Sequence, residues 1–157
     1  MKGNEKIIGH LNARLAEELT SINQYMVHAK MCSNWEYKCL AETIEKRAIV
    51  EMRHTEKLIA RILLLEGLPL VGGLNKLRIG SEVPKMHVND YGAEEEAIQG
   101  YNESIRLATE VGDNGTCQLF QEILKDEEDH IDWIEAQLDQ IKQVGPQNYL
   151  TEQIYKK

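Results

Sequence analysis

A chain of 157 residues is long enough for one domain with a sizeable core. With 42% hydrophobic and 28% charged residues, its composition excludes a disordered chain. The formal charge of −8 excludes nucleic acid as the main partner, because phosphate binding needs a basic surface, and it suits the attraction of cations. Three cysteines (Cys32, Cys39 and Cys117) with no C-x-x-C pair point to a reducing cytosol rather than a disulfide framework. The first residues lack an apolar signal core. No apolar stretch approaches the roughly 20 residues that span a bilayer, so no membrane association and a cytoplasmic location are expected.

Four long segments carry helical periodicity. In the first, Ile8, Leu11, Leu15, Glu18, Ile22, Tyr25, Ala29 and Cys32 recur at steps of three and four, which makes one helix face; Glu17 lies off it. A short turn is expected near Ser33-Asn34. The second helix presents Ile44, Ala48, Glu51, Thr55, Leu58, Ile62 and Leu65. Between Gly67 and Ser81, the residues Pro69, Gly72, Gly73 and Gly80 cannot continue a helix, and the apolar residues among them predict a loop packed along the bundle. The third helix carries Tyr91, Glu94, Ile98, Tyr101, Ile105 and Ala108, and Gly112-Asp113 supplies a stop followed by an N-cap. The fourth carries Phe120, Leu124, Glu127, Ile131, Ile134, Leu138 and Ile141. Gly145-Pro146 ends it and starts a short fifth helix. Two tight hairpins joined by one long crossover predict an all-α, ferritin-like four-helix bundle, as one domain over 1–157 with the bundle at 4–143 and the C-terminal helix at 146–154.

Each bundle helix thus has one glutamate among its inward residues. Glu18, Glu51 and His54 recur as Glu94, Glu127 and His130, every member 76 residues after its counterpart, and Tyr25 recurs as Tyr101. A Glu and a His at i and i+3 share a helix face and can ligate one ion. A lone Glu from each of two helices with Glu-x-x-His from the other two is the di-iron pattern of such bundles. Four buried carboxylates repel one another and lose hydration, at several kcal/mol per ion. Two histidines and no inward lysine cannot balance them, whereas two divalent cations can, and carboxylate with imidazole suits iron or manganese. A hydrogen-bonded polar layer involving Tyr25 and Tyr101 is the plainer reading, preferred for one pair but not for a duplicated set. His10 and His28 lack a carboxylate at ligand spacing and read as surface or packing residues, as do Trp35 and Trp133. Glu95 and Glu96 read as a solvated face. Met52 lies about 100° around its helix from Glu51. With Ile49, Ile59, Leu19 and Met26 it forms an apolar strip suited to another subunit.

Over essentially its whole length the chain resembles the bacterioferritins. The resemblance rests on Gly9-His10-Leu11-Asn12, Ile22-Asn23-Gln24-Tyr25, Glu51-Met52-Arg53-His54 and Leu65-Glu66-Gly67-Leu68-Pro69, then on the run Asp126 to Trp133 and on Gly145 to Leu150. It implies a hollow homo-oligomer of twenty-four subunits built from two-fold dimers. A b-type haem would be shared between two subunits, with Met52 of each as axial ligand. It also implies a ferroxidase centre with Glu18, His54, Glu94 and His130 as terminal ligands, Glu51 and Glu127 as bridges, and Tyr25 as auxiliary. Such a centre oxidises Fe²⁺ with O₂ or H₂O₂ for storage as ferric mineral, and an iron–sulfur ferredoxin feeds electrons through haem for release. Some relatives carry a further iron site using His and Asp where this chain has Lys46 and Val50, so that site is expected to be absent. A rubrerythrin-like di-iron peroxidase is disfavoured because the paired C-x-x-C motifs of its usual rubredoxin-like segment are missing. A mini-ferritin, with its site between subunits, is disfavoured by the complete set in one chain. A haem-binding shell with an inactive bundle site remains open.

Overall fold

The computed structural model describes residues 1–155, and these hold five helices and no strand. They are α1 (Glu5–Asn34), α2 (Lys38–Leu64), α3 (Val83–Glu110), α4 (Asn114–Val144) and α5 (Pro146–Thr151). The fifth helix therefore stops short of the expected 154. Asn4 caps α1 by accepting hydrogen bonds from the Lys6 and Ile7 amides. The first hairpin turns slightly later than expected, with Glu36 at φ 65°. In the second, Gly112 takes φ 73° and the Asp113 side chain accepts from the Thr116 amide. Helix α1 packs chiefly on α2 and α3 on α4, so the bundle is two hairpins laid together.

The interior falls into two apolar plugs. One contains Leu11, Leu15, Leu58, Ile62, Tyr101 and Phe120; the other contains Tyr25, Ala29, Ile44, Ala48, Met86 and Tyr149. Along every bundle helix the acidic and imidazole residues lie between the stretches that fill these plugs, which makes a polar layer across the middle. Tyr149 anchors α5 to the second plug, and its O–H donates to Gln137 Oε1 at 2.7 Å.

The crossover departs from expectation. Its apolar residues do not pack along the bundle: Leu68 is 73% exposed, and Leu70, Val71, Leu74, Leu77 and Ile79 also face outward. Polar side chains of α1 hold it instead. Asn12 brackets Leu68 and Leu70, Thr20 accepts from the Asn75 amide, Gln24 from Arg78 and His28 Nε2 from Gly80. The backbone amides of an extended segment need partners, and this row, mostly four residues apart, supplies them on one helix face. His28 is consequently buried, with its Nδ1–H directed to Asp90 at 3.0 Å, and serves as a structural tie.

Candidate metal centre

All six residues singled out by the repeat converge in the polar layer. Glu18, Glu51, Glu94 and Glu127 are 1–2% exposed, His54 1% and His130 8%. Donor atoms of Glu18, Glu51, His54 and Glu127 all lie within 4.8 Å of one another, as do those of Glu51, Glu94 and His130. Glu51 belongs to both groups, so it can reach two cations. His54 Nδ1 faces Glu127 Oε1 at 3.2 Å, Glu18 Oε2 at 3.4 Å and Glu51 Oε2 at 3.6 Å. His130 Nδ1 lies 2.9 Å from Glu94 Oε1. The Tyr25 hydroxyl donates to Glu94 Oε1, and the Tyr101 hydroxyl to Glu18 Oε1 at 2.6 Å. The two halves thus brace each other through the repeated tyrosines.

The donor set fits a pair of cations. Glu18 Oε2, Glu51 Oε1, His54 Nδ1, Glu94 Oε2 and Glu127 Oε1 are buried without a hydrogen-bond partner, although such groups are normally paired. One atom on each of five candidate ligand residues is therefore left facing its neighbours, with oxygen and imidazole chemistry suited to first-row divalent ions.

The charges of the metal-free centre are partly settled by protons. Burial, then the charge of Glu51, holds the Glu18 carboxyl well above its usual range. Burial likewise raises Glu127, reinforced by Glu51 and Glu94. Burial also opposes ionisation of Glu51, but hydrogen bonding from Glu18, contact with His54 and the charge of Arg47 outweigh it and keep that carboxyl ionised. Glu94 is lowered in the same way, with burial outweighed by Glu127 and His130. For His54, burial disfavours the cation, yet the Glu18 and Glu51 carboxylates raise it to about 10.

Two participants escaped the sequence pattern. Arg47 corrects the expectation that only histidines face the carboxylates: its Nη2 lies 3.0 Å from Glu51 Oε1 and 3.5 Å from Glu127 Oε1, and its side chain is 12% exposed. The i,i+4 spacing from Arg47 to Glu51 was the available signal. Asp126 Oδ2 stands 2.8 Å from His54 Nε2, and so directs the Nδ1 lone pair inward when that ring is neutral. Nothing in the periodicity marks it beyond its place beside Glu127. Met52 stands apart from the cluster, 39% exposed on the outside of α2, with Ile49 also exposed. An exposed thioether on an apolar strip is a chemically suitable haem-iron ligand. Glu95 and Glu96 are exposed, and Trp133 packs against His130.

The ferritin-like domain family matches residues 8–144. The bacterioferritin of Brucella melitensis biotype 1 is 40% identical over 149 residues, 95% of this chain and 92% of that protein. That of Mycolicibacterium paratuberculosis is 40% identical over 95% of this chain and 94% of its own length. That of Streptomyces coelicolor is 40% identical over 96% and 90%. Among the described residues no helix is long and apolar enough to cross a membrane.

Proposed function

The chain belongs to the bacterioferritin family of ferritin-like proteins, and from that premise we propose that it stores and detoxifies iron as a ferroxidase. The observation that carries this reading is the set of unpartnered carboxylate and imidazole atoms turned toward one another between the two apolar plugs. Two Fe²⁺ ions are the substrate. Glu18 with His54 and Glu94 with His130 hold one ion each, while Glu51 and Glu127 bridge them. Gathering both ions beside one molecule of O₂ or H₂O₂ makes two-electron reduction of that oxidant local, and anionic oxygen ligands favour the ferric product.

Protons take part on the protein side. Burial favours the protonated forms of Glu18 and Glu127, and the acidic neighbours favour the His54 cation, so ligation by these groups is coupled to loss of protons. Uptake therefore releases protons and strengthens as pH rises. Burial keeps the Tyr25 and Tyr101 phenols protonated, so each hydroxyl orients the carboxylate of the opposite half. Product iron collects as ferric mineral inside a cytoplasmic shell of twenty-four copies built from two-fold dimers. Met52 from each of two subunits would hold a shared b-type haem, which supplies electron transfer from an iron–sulfur ferredoxin for release.

Stopped-flow iron oxidation tests the assignment. Glu18→Ala and His54→Ala are expected to abolish the fast phase while assembly and haem persist. Met52→Leu should lose the haem Soret band and retain oxidation. Unchanged oxidation in both ligand variants would refute the ferroxidase and leave a haem-binding shell with an inactive bundle site.

A further inference from the structure

The centre contains one permanent cation that a carboxylate–histidine ligand set does not require. Arg47 lies one turn before Glu51 on α2, and its guanidinium sits between the two carboxylates read above as metal bridges, 3.0 Å from Glu51 Oε1 and 3.5 Å from Glu127 Oε1. Neither approach is aligned as a hydrogen bond: Arg47 Nε and Nη2, Glu51 Oε1 and Glu127 Oε1 are all buried and unpartnered in that sense. Charge alone holds the group there, without the two parallel bonds of a forked arginine–carboxylate pair. Its side chain is 12% exposed, so one edge of the arginine reaches solvent. The position 76 residues further on is Ile123, which is buried and apolar, so the second half of the chain has no equivalent.

We propose that Arg47 is the resident counter-ion of the metal-free centre, occupying the Glu51–Glu127 edge until divalent cations load and drive its guanidinium outward. This rests on the reading that the six residues bind two cations. The same two oxygens cannot face a guanidinium and a metal ion at once without like charges meeting at contact distance in a low-dielectric interior. Arg47 therefore competes with the metal. It keeps the empty site from flying apart and lowers the affinity of the filled one, which suits a centre that must hand its iron on.

The test uses assembled, metal-stripped protein without oxygen, titrated with Co²⁺ as a redox-inert probe, alongside Arg47→Gln. The variant should melt several degrees lower when metal-free, yet bind Co²⁺ about tenfold more tightly at unchanged stoichiometry, as expected from removing one like charge beside the ion. Equal melting and equal affinity would make Arg47 a bystander, and weaker Co²⁺ binding would make it an organiser of the ligands; either overturns the proposal. Crystals of the unaltered protein supply a readout independent of how the variant folds. With Co²⁺ bound the guanidinium should have left both carboxylates, and a guanidinium still on them refutes displacement. If the unaltered protein takes up no Co²⁺, the two-cation reading itself fails and this proposal falls with it.

Discussion

His54 and His130 occupy the same place in the two halves of the repeat, but their rings are held in different ways. His54 has a carboxylate behind it, with Nε2 at 2.8 Å from Asp126 Oδ2. The residue related to Asp126 by the 76-residue offset is Val50, which cannot accept a hydrogen bond from His130. His130 is confined by aromatic surfaces instead: Trp133 stacks on it with ring centroids 6.3 Å apart, and Tyr25 meets it edge-on at 5.2 Å. Arg47 adds to the imbalance, since Ile123 is its counterpart. Two halves that copy the proposed ligands have not copied their supports. A hydrogen bond fixes tautomer and direction, whereas ring packing fixes only the plane, so the two cation positions should differ in affinity and in ease of exchange.

Removing the support of one half is the most direct way to erase the difference. Asp126→Ala should weaken the tighter step of Co²⁺ binding by about 10- to 100-fold, the usual cost of losing a carboxylate behind a ligating histidine. Val50→Asp should make the reverse change and strengthen the weaker step. Calorimetric titration of both variants reads this out. If Asp126→Ala leaves the isotherm unaltered, the asymmetry has another origin.

Acid should distinguish the halves next. His87 packs against Trp133 at 5.7 Å and continues the aromatic surface that confines His130, and burial lowers its own protonation to about 4. A folded-state value below the unfolded one of about 6.5 means that the unfolded chain binds the proton more readily. This contribution is complete above pH 6.5 and is lost as the pH falls from there through 4, on the order of 3 kcal/mol in all. Thermal melts of the metal-free protein should show that acid loss, and His87→Gln should flatten it. The loss should be accompanied by looser packing at Trp133, seen as a fluorescence change, with no matching change around His54.

How much of this arrangement is legible in the sequence depends on whether a residue acts through its position or through its reach. Glu18, Glu51, His54, Glu94, Glu127 and His130 are set by helical phase alone. A stripe that buries Leu15 and Leu58 must also bury Glu18 and His54, each one turn away. The helix stops at Gly112 and Gly145 are likewise local, since both residues take positive φ. Asp126 and Arg47 act from off the stripe by reaching across to His54 and Glu127 on the facing helix, and phase says nothing about that reach; only the i,i+4 spacing of Arg47 to Glu51 was open to reading. The crossover misled for a related reason. Leu70, Leu74 and Leu77 are apolar enough to suggest burial, but the segment docks by its backbone amides on Thr20, Gln24 and His28, which leaves those side chains outward. Periodicity reports where Cβ atoms point and is silent on where an extended backbone finds its partners.

The tyrosine pair offers the smallest and most selective test, because here the two halves are alike in bonding and unlike in surroundings. Tyr25 donates to Glu94 and Tyr101 to Glu18, each phenol is fully buried, and each crosses to the other half. Removing the Tyr101 hydroxyl should cost the metal-free protein about 1–2 kcal/mol, because Glu18 Oε1 loses its donor, and removing the Tyr25 hydroxyl should cost less, because Glu94 Oε1 keeps His130 Nδ1 at 2.9 Å. Their rings differ: Tyr25 lies against His130, and Tyr101 lies 5.9 Å from Phe120. Of the two, Tyr25 alone touches both a proposed ligand carboxylate and a proposed ligand imidazole, which on the ferroxidase reading makes it the better-placed auxiliary to the reaction. Tyr25→Phe should therefore slow iron oxidation in stopped flow where Tyr101→Phe leaves the rate near that of the unaltered protein. Equal slowing would mean that carboxylate orientation, which the two share, is all that either tyrosine provides.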